Sequence, residues 1–311
     1  MTSPPAFPAP ELLCLGGLAL DLLLRAPDVP ARDEKLVVEF AGRSAGGLVA
    51  NAACAAAKLG LSTAWAGPVG DDEYGRLCLD DFARFDVDTG FAVQIPGAVT
   101  SFCVILLTPD GERTILVANT LPTPPPLSAE INACLGKARL VYTLLYQAGW
   151  FQQVAARVHA SGGKIAVDIE ASSANQDVPL QDSLQHADYV FCSASGLRWA
   201  CGQHDPERGA RAILSYGPAL VVVTMGSRGA FAISRSEQVF QPAYPVRVVD
   251  TTGAGDCFHA ACLLGIRLAW PLPYMLRFAS AAAALSVQAE GARGRLPARR
   301  AVEDFLKAVG E

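Results

Sequence analysis

The sequence predicts an α/β fold whose central sheet is largely parallel. Apolar runs of strand length alternate with stretches of helical periodicity, and the runs are nearly continuous, which is typical of strands covered by helices on both faces. The predicted core strands are Leu12–Leu15, Thr63–Ala66, Leu140–Thr143, Ile165–Asp168, Tyr189–Cys192 and Leu220–Thr224. The predicted helices between them are Leu48–Leu59, Glu73–Phe85, Trp150–Ala160 and Pro206–Ser215. No repeat or low-complexity linker divides the chain, so we expect a single domain over residues 11–309, preceded by a flexible tail at residues 1–10.

A second pattern interrupts this alternation. The segments Lys35–Phe40, Ser101–Leu107 and Arg113–Ala118 have the composition of extended strands, and the last two are joined by Pro109-Asp110-Gly111, which is favourable turn chemistry. A small antiparallel sheet does not fit inside a parallel core. We therefore predict a lid over one end of the domain, built from about residues 35–43 and 99–119. An ordinary peripheral hairpin is the alternative interpretation.

Composition excludes several classes of function. Hydrophobic residues make up 51% of the 311 residues and charged residues 18%, which predicts a packed core rather than disorder. The net charge of −5 argues against a nucleic-acid partner. The apolar run 12–24 is broken by Gly16, Gly17 and Asp21 and is too short to span a membrane. Nine cysteines without CxxC spacing and four scattered histidines predict reduced thiols, no structural zinc site and a cytoplasmic location.

The most informative segment is Asp250–Phe258, which reads DTTGAGDCF and follows the strand-like segment Tyr244–Val249. A helical pattern begins here, with apolar or small residues at spacings of three and four: Phe258, Ala261, Cys262, Gly265 and Leu268. Glycines at a helix start let unpaired backbone N–H groups and the helix dipole converge on an anion. A carboxylate beside such a site, Asp256, could accept the proton of a hydroxyl during phosphoryl transfer. The alternative is an acidic residue that only caps a glycine-rich helix start.

Read as DTTGAGDxF, this segment resembles the C-terminal signature of the ribokinase-like (PfkB) carbohydrate kinases. The resemblance implies a ribokinase-like three-layer sandwich with a central, mostly parallel sheet and a small β-sheet lid. It also implies that Asp256 is the catalytic base and that Gly253, Ala254 and Gly255 form the anion hole. ATP would bind without a Walker motif, Mg²⁺ would accompany ATP, and K⁺ is a candidate activator near Asp250 and Thr252.

The segment Gly46–Ala53, which reads GGLVANAA, resembles the GGxxxNxA sugar-binding segment of the same family. The resemblance places Gly46, Gly47 and Asn51 at the sugar, together with Asp21. An amide can donate to one hydroxyl and accept from another, and a carboxylate accepts from two. A packing glycine pair with a buried polar residue is the alternative for this segment. Arg43 and Arg113 are the candidates to meet an anionic substrate group, unless they are surface residues.

On the nucleotide side, residues 221–229 resemble the TxGxxG turn of the family, which implies that Thr224, Gly226 and Gly229 bind ATP. Residues 278–292 resemble the helix and loop that close over adenine, which adds Ser280 and Gly291. The sequence departs from the family at 193–196, where SASG replaces the NxxE motif implicated in magnesium and phosphate handling. Asp168 and Glu170 are candidates to replace the missing charge.

Three functions remain open from sequence. The leading prediction is an ATP-dependent kinase acting on a hydroxyl of a small sugar, a ketohexose or a sugar acid. The second is a nucleoside kinase, which would need an aromatic platform near the lid, with Phe40, Phe102 and Trp150 as candidates. The third is a sugar-binding regulatory protein without turnover, favoured by the missing NxxE and opposed by Asp256. The resemblance also implies a homodimer joined through the lid strands.

Overall fold

The computed structural model describes residues 9–110, 112–171 and 180–310. In chain order, the strands are β1 (Leu12–Leu15), β2 (Ala19–Arg25), β3 (Glu39–Gly46), β4 (Thr63–Gly70), β5 (Asp88–Ile95), β6 (Phe102–Leu107), β7 (Arg113–Ala118), β8 (Leu140–Leu144), β9 (Lys164–Ile169), β10 (Tyr189–Ser193), β11 (Leu220–Thr224), β12 (Ala230–Ser234) and β13 (Gln238–Gln241). The helices are α1 (Leu48–Lys58), α2 (Glu73–Ala83), α3 (Ala129–Leu135), α4 (Ala148–Ala160), α5 (Leu180–Leu184), α6 (Ala194–Cys201), α7 (Pro206–Leu214), α8 (Ala254–Arg267), α9 (Leu272–Ser286) and α10 (Arg299–Ala308). Most of the predicted tail, residues 1–8, and Gly111 of the predicted turn lie outside the described residues.

The main sheet has nine strands in the described part of the chain, in the order β13-β12-β11-β10-β9-β8-β1-β4-β5. The strands from β11 to β5 run parallel, and β12 and β13 are added antiparallel at one edge. Strand β1 lies in the middle, with Leu12 opposite both Thr63 of β4 and Leu140 of β8. All six predicted core strands are confirmed, and all four predicted helices are present within two residues of the predicted ends.

Helices cover both faces of this sheet and form two separate cores. Successive residues of β1 alternate between them: Leu12 and Cys14 pack against α1, α2, α8, α9 and α10, whereas Leu13 and Leu15 pack against α3 to α7. Each residue of β1 is fully buried because a central parallel strand has no face toward water. The predicted three-layer α/β/α sandwich is therefore confirmed.

The lid is a second sheet with the order β3-β2-β6-β7. Strands β6 and β7 form the predicted hairpin, but β2 runs parallel to β6, so the lid is mixed rather than purely antiparallel. The strand predicted at Lys35–Phe40 is displaced along the chain, since it overlaps the observed strand β3 (Glu39–Gly46) only at residues 39–40, and β2 was not predicted. The glycine and polar residues of β3 give no apolar alternation. The strand forms because its backbone pairs with β2, not because its own side chains favour an extended conformation.

Residues 244–249 form no strand, although their composition predicted one. Pro245 removes a ladder donor, and the segment leaves the sheet after β13 to reach the start of α8. Across the described ranges, no helix is long and apolar enough to cross a bilayer.

Gly67 on β4 gives a test of the packing between this strand and the residue that follows β1. A Cβ on Gly67 would lie 2.0 Å from the carbonyl oxygen of Gly16, so Gly67→Ala forces the two backbones apart. We expect the free energy of unfolding to fall by about 1–3 kcal/mol, as for overpacked cores, measured by urea titration.

The control is Gly149→Ala. Gly149 lies on α4, and no atom lies within 4 Å of the position that a Cβ would occupy there, so the change should raise the free energy of unfolding by up to about 1 kcal/mol. An unchanged stability of Gly67→Ala would mean that the contact with Gly16 relaxes freely.

Candidate active site

The start of α8 carries unpaired backbone donors. Gly253 is the N-cap residue in a left-handed conformation, with φ 75°, and a Cβ there would lie 2.7 Å from Cβ of Ala292. In the described part of the chain, the N–H groups of Gly253, Gly255 and Asp256 have no hydrogen-bond acceptor, whereas the N–H of Ala254 donates to the carbonyl of Thr251 at 3.2 Å. A Cβ on Gly255 would face open space. The donors at the helix start therefore remain available to an anion, with the exception of Ala254.

A lid arginine contacts the loop that precedes this helix. Asp250 Oδ1 accepts from the backbone N–H of Thr252 at 2.9 Å and from Arg113 Nη1 at 3.2 Å, and Asp250 Oδ2 accepts from the N–H of Gly291 at 2.8 Å. Arg113 also donates to the hydroxyl of Thr252. Partial burial raises the pKa of Asp250, but the hydrogen bonds from Thr252 and Gly291, with Arg113, outweigh it and hold that pKa below its ordinary value. The lid is thus joined to the anion loop through an ion pair.

The ion pair between Arg113 and Asp250 affects two predictions, the substrate-binding role of Arg113 and the cation site at Asp250 and Thr252. Arg113 is neither a plain surface residue nor a free cation for a substrate, because its guanidinium pairs with Asp250. Asp250 and Thr252, the predicted ligands of a monovalent cation, already form hydrogen bonds within the protein: Asp250 accepts from Arg113 and Gly291, and the Thr252 hydroxyl donates to Asp250. Within the described ranges, no group of three or more His, Cys, Asp or Glu side chains could hold a metal ion.

Asp256 is buried in the first turn of α8, with 5% of its surface exposed. Its Oδ2 accepts a hydrogen bond of 2.8 Å from Nδ2 of Asn51 on α1. Burial raises the pKa of Asp256 to about 7, against the opposing effects of the Asn51 hydrogen bond and of His259. A carboxylate with a pKa near neutrality is suited to accept and release a proton.

A buried polar cluster lies beneath Asp256. The hydroxyl of Tyr142 donates to Asp168 Oδ2 at 3.2 Å and lies 3.1 Å from Nδ1 of His259, which is itself 3.5 Å from Asp168 Oδ2. Burial lowers the pKa of His259, but the Asp168 carboxylate outweighs this effect and raises it. Asp168 is 1% exposed and accepts the hydrogen bond of Tyr142. Sequence reasoning missed His259, although its spacing of three from Asp256 puts both on one helix face.

The predicted sugar residues lie together beside Asn51. A Cβ on Gly46 would lie 2.3 Å from Oδ2 of Asp21, and Gly47, with φ 98°, packs against the backbone of Leu18. Burial raises the pKa of Asp21. Asp21 lies within β2 and not in a turn after the first strand. Close packing therefore requires glycine at both positions, whether or not a ligand approaches them.

Sequence reasoning also missed Arg293. It lies two residues after Gly291, just beyond the segment 278–292 that resembles the adenine-binding helix and loop, and its side chain is only 7% exposed. Its guanidinium contacts Asp81, Asn51 and the carbonyl of Gly46. No local signal in the sequence marked Arg293, because Arg295 follows two residues later in the same loop.

The predicted nucleotide residues occupy several elements. Thr224 ends β11, and Ser280 is buried within α9. Gly226 begins a short 3₁₀ turn over residues 226–228, and a Cβ added at this glycine would face open space. Gly229 is required by packing, since a Cβ there would lie 2.0 Å from the carbonyl of Gln241. Where NxxE was expected, Ser193 caps α6 by accepting from the N–H of Gly196 at 3.0 Å.

Two of the three aromatic residues proposed as a nucleoside platform pack against other side chains. Phe102 packs edge-on against Tyr74, and Trp150 packs against Tyr146 and donates to the carbonyl of Pro125. Phe40 is 62% exposed on β3. The three rings do not form one stacking surface.

The raised pKa of Asp256 predicts a stability that depends on pH. The folded pKa of about 7 exceeds the ordinary value of 3.8, so the unfolded chain ionises first and the wild type loses stability as the pH rises toward 7. Asp256→Asn cannot ionise. We expect it to be more stable than the wild type at about pH 8, by on the order of 1–4 kcal/mol, and to lose this advantage near pH 4.

Thermal unfolding monitored by circular dichroism across this pH range measures the difference. Asp80→Asn, on the exposed face of α2, is the matched control and should follow the wild type at every pH. A gain in Asp256→Asn that does not vary with pH would contradict the prediction.

Comparison with known proteins identifies the family to which this chain is similar. Residues 9–299 match the model of the pfkB family carbohydrate kinases. The chain is 30% identical over 307 residues to ribokinase of Bacillus subtilis (strain 168), with 95% of this chain and 99% of that protein covered. It is 31% identical over 253 residues to fructoselysine 6-kinase of Escherichia coli (strain K12), with 79% of this chain and 91% of that protein covered.

Solved structures of similar proteins have the same fold. Ribokinase of Arabidopsis thaliana, complexed with ribose and ATP, superposes with a TM-score of 0.87 at 26% identity, over 96% of this chain and 99% of that one. A further structure, from E. coli and holding ATP and Mg²⁺, has the same fold, with a TM-score of 0.81 at 23% identity over 96% of this chain and 99% of that one. The buried carboxylate at a glycine-rich helix start, the family match and these relatives together show that this chain belongs to the pfkB family of carbohydrate kinases, enzymes that phosphorylate an alcohol group.

Proposed function

We propose that this chain transfers the γ-phosphoryl group of ATP to a hydroxyl of a small, uncharged sugar, with Asp256 as general base. One observation carries the proposal: the Asp256 carboxylate lies in the same helical turn as the unpaired N–H groups of Gly255 and Asp256 and accepts a hydrogen bond from Asn51. Asp21, which lies against Gly46 just before the helix that carries Asn51, adds a second carboxylate for hydroxyl groups. A proton acceptor, an anion cradle and hydroxyl-binding groups are the parts that phosphoryl transfer requires.

The reaction follows from this arrangement. The sugar hydroxyl gives its proton to the oxygen of Asp256 that Asn51 does not hold, while its oxygen forms a bond to the γ-phosphorus. The bond from that phosphorus to the bridging oxygen breaks, and ADP leaves with the electron pair. The N–H groups at the start of α8 offset the charge on the transferred group.

ATP is the proposed donor because relatives of this fold were solved with it. Open space at the Cβ positions of Gly226, Gly255 and Gly291 leaves these loops accessible to phosphates and ribose, with Thr224 and Ser280 as the other proposed contacts. Mg²⁺ would be held by the phosphates and water and would neutralise charge on ATP, since dedicated protein ligands are not required for that role.

Charge favours an uncharged sugar over a sugar acid. Three arginines of the lid and the adjoining elements are each paired with a carboxylate: Arg43 with Glu73, Arg113 with Asp250, and Arg293 with Asp81. Asp21 and Asp256 contribute negative potential to the same region. A substrate carboxylate would have to break one of these pairs or approach two acidic side chains.

K⁺ activation and dimerisation are two further parts of the proposal. Asp250 and Thr252 remain candidates for a cation site, in which K⁺ would compete with Arg113. Strand β7 is an edge of the lid sheet with Ile115, Leu116 and Val117 exposed, which favours pairing of lids between two copies. Replacement of KCl by choline chloride tests the first, and light scattering tests the second.

The decisive experiment is ADP release from Mg-ATP with ribose, fructose, other aldoses and ketoses, sugar acids and nucleosides. We expect kcat/KM for an uncharged sugar to exceed that for any acid by at least about tenfold. In Asp256→Asn, kcat should fall by about 10²–10⁴-fold while the variant remains folded, because the general base is lost.

The outcomes separate the alternatives. Turnover confined to nucleosides would support a nucleoside kinase, and turnover of acids alone would contradict the charge argument. A sugar that raises the melting temperature without turnover would indicate a binding protein. Wild-type activity in Asp256→Asn would refute the assigned base.

A further inference from the structure

We propose that Arg293 is a positioning residue of the phosphoryl-transfer site: it orients the amide of Asn51 and, through that amide, the carboxylate of Asp256. The proposal rests on the function proposed above for Asp256. It assigns a role in the reaction to a residue of the loop between α9 and α10, outside the helix that carries the base.

The guanidinium of Arg293 is held on every side. Nε donates to Oδ1 of Asn51 at 2.9 Å, Nη1 donates to Oδ2 of Asp81 at 2.6 Å, and Nη2 donates to the carbonyl of Gly46 at 3.2 Å. Its carbon lies 5.2 Å from the ring centre of Phe82. With 7% of its side chain exposed, Arg293 is a buried cation whose charge is balanced by Asp81.

These contacts determine which way the Asn51 amide points. Arginine has donors only, so the Asn51 atom that faces Nε must be the oxygen. The nitrogen then faces Oδ2 of Asp256, 2.8 Å away, and donates to it. A flipped amide would put a donor against a donor and an oxygen against a carboxylate, which is unfavourable at both ends. The chemistry of Arg293 therefore selects the orientation in which Asn51 supports the ionised base.

The consequence for Asp256 is that one carboxylate oxygen is occupied and the other is available for a proton. A hydrogen bond to the charged form opposes the effect of burial, so loss of the Asn51 donor should raise the pKa of Asp256 further. The other titratable groups that act on Asp256 come from three elements and are unchanged by a substitution at Arg293: His259 on α8, Asp168 and Glu170 at the end of β9, and Tyr142 on β8.

The same loop also contacts the anion loop. The N–H of Gly291 donates to Asp250 at 2.8 Å, and Ala292 packs against Gly253. Arg293 follows directly and reaches Gly46 and Asn51 on the sugar side. A three-residue segment thus contacts both the anion cradle and the residues around the base.

Arg293→Lys tests the proposal, because lysine keeps the charge but cannot hold Asn51, Asp81 and Gly46 at once. With the best sugar of the substrate panel, we expect kcat to fall at least about tenfold and the acidic limb of the kcat pH profile to move up by about 1–2 units. The KM for the sugar should change less than kcat. Because the effect acts through ionisation of Asp256, much of the lost activity should return at high pH.

Phe151→Leu is the control for a purely structural effect. Phe151 is fully buried on α4 in the opposite core, so its truncation lowers stability without touching the site. We expect it to lower the melting temperature and leave the pH profile of kcat unchanged. A shift of the profile in Phe151→Leu equal to that in Arg293→Lys would overturn the proposal.

A double-mutant cycle with Asn51→Ala tests whether Arg293 acts through Asn51. If it does, Arg293→Lys should cause little further loss of kcat in the Asn51→Ala background, and fully additive effects would refute the proposal. If Arg293→Lys does not fold, Arg293→Met, which is similar in length but cannot donate to Asn51, takes its place with the same criteria. An inactive Asp256→Asn together with a wild-type profile in the Arg293 variant would reject this inference and leave the proposed function standing. An active Asp256→Asn would reject the function itself.

Discussion

The burial of the Asp256 carboxylate at the start of α8 is the constraint on which the rest of the site depends. An ionised carboxylate removed from water is costly unless hydrogen bonds and nearby positive charge compensate it. The structure places Asn51 in direct contact, His259 on the same helix face, and unpaired N–H groups at the helix start. Compensation is incomplete, and the pKa of Asp256 therefore lies near neutrality.

Close backbone packing around this carboxylate explains most of the site glycines. Gly46 leaves room for Asp21, Gly47 lies against Leu18, and Gly253 lies against Ala292. Gly255 differs, because nothing occupies the space beside it. The first three glycines allow close packing of the backbone around the site, and Gly255 leaves space beside the helix start for a ligand.

Ion pairs connect the lid and the C-terminal loop to the main domain. Arg113 extends from lid strand β7 to Asp250 in the anion loop, and Arg293 extends from the C-terminal loop to Asp81 on α2. Each pair neutralises the charge of its arginine. In the function proposed above, the backbone N–H groups at the start of α8, which carry no net charge and need no counterion, offer positive potential to the transferred phosphoryl group.

The sequence alone determined six strands of the main sheet, four of the helices that cover it and the anion loop with Asp256, because each is encoded by residues close together in the chain. Periodicity identifies buried strands, and nine contiguous residues identify the loop. Only the tertiary structure decided strands β2 and β3, whose pairing overrides a weak local pattern, and the contacts of Asp256. Asn51 meets Asp256 across 205 positions and Arg293 meets Asn51 across 242, so the partners of these side chains are set by the packing of α1, α8 and the C-terminal loop, which no local pattern encodes.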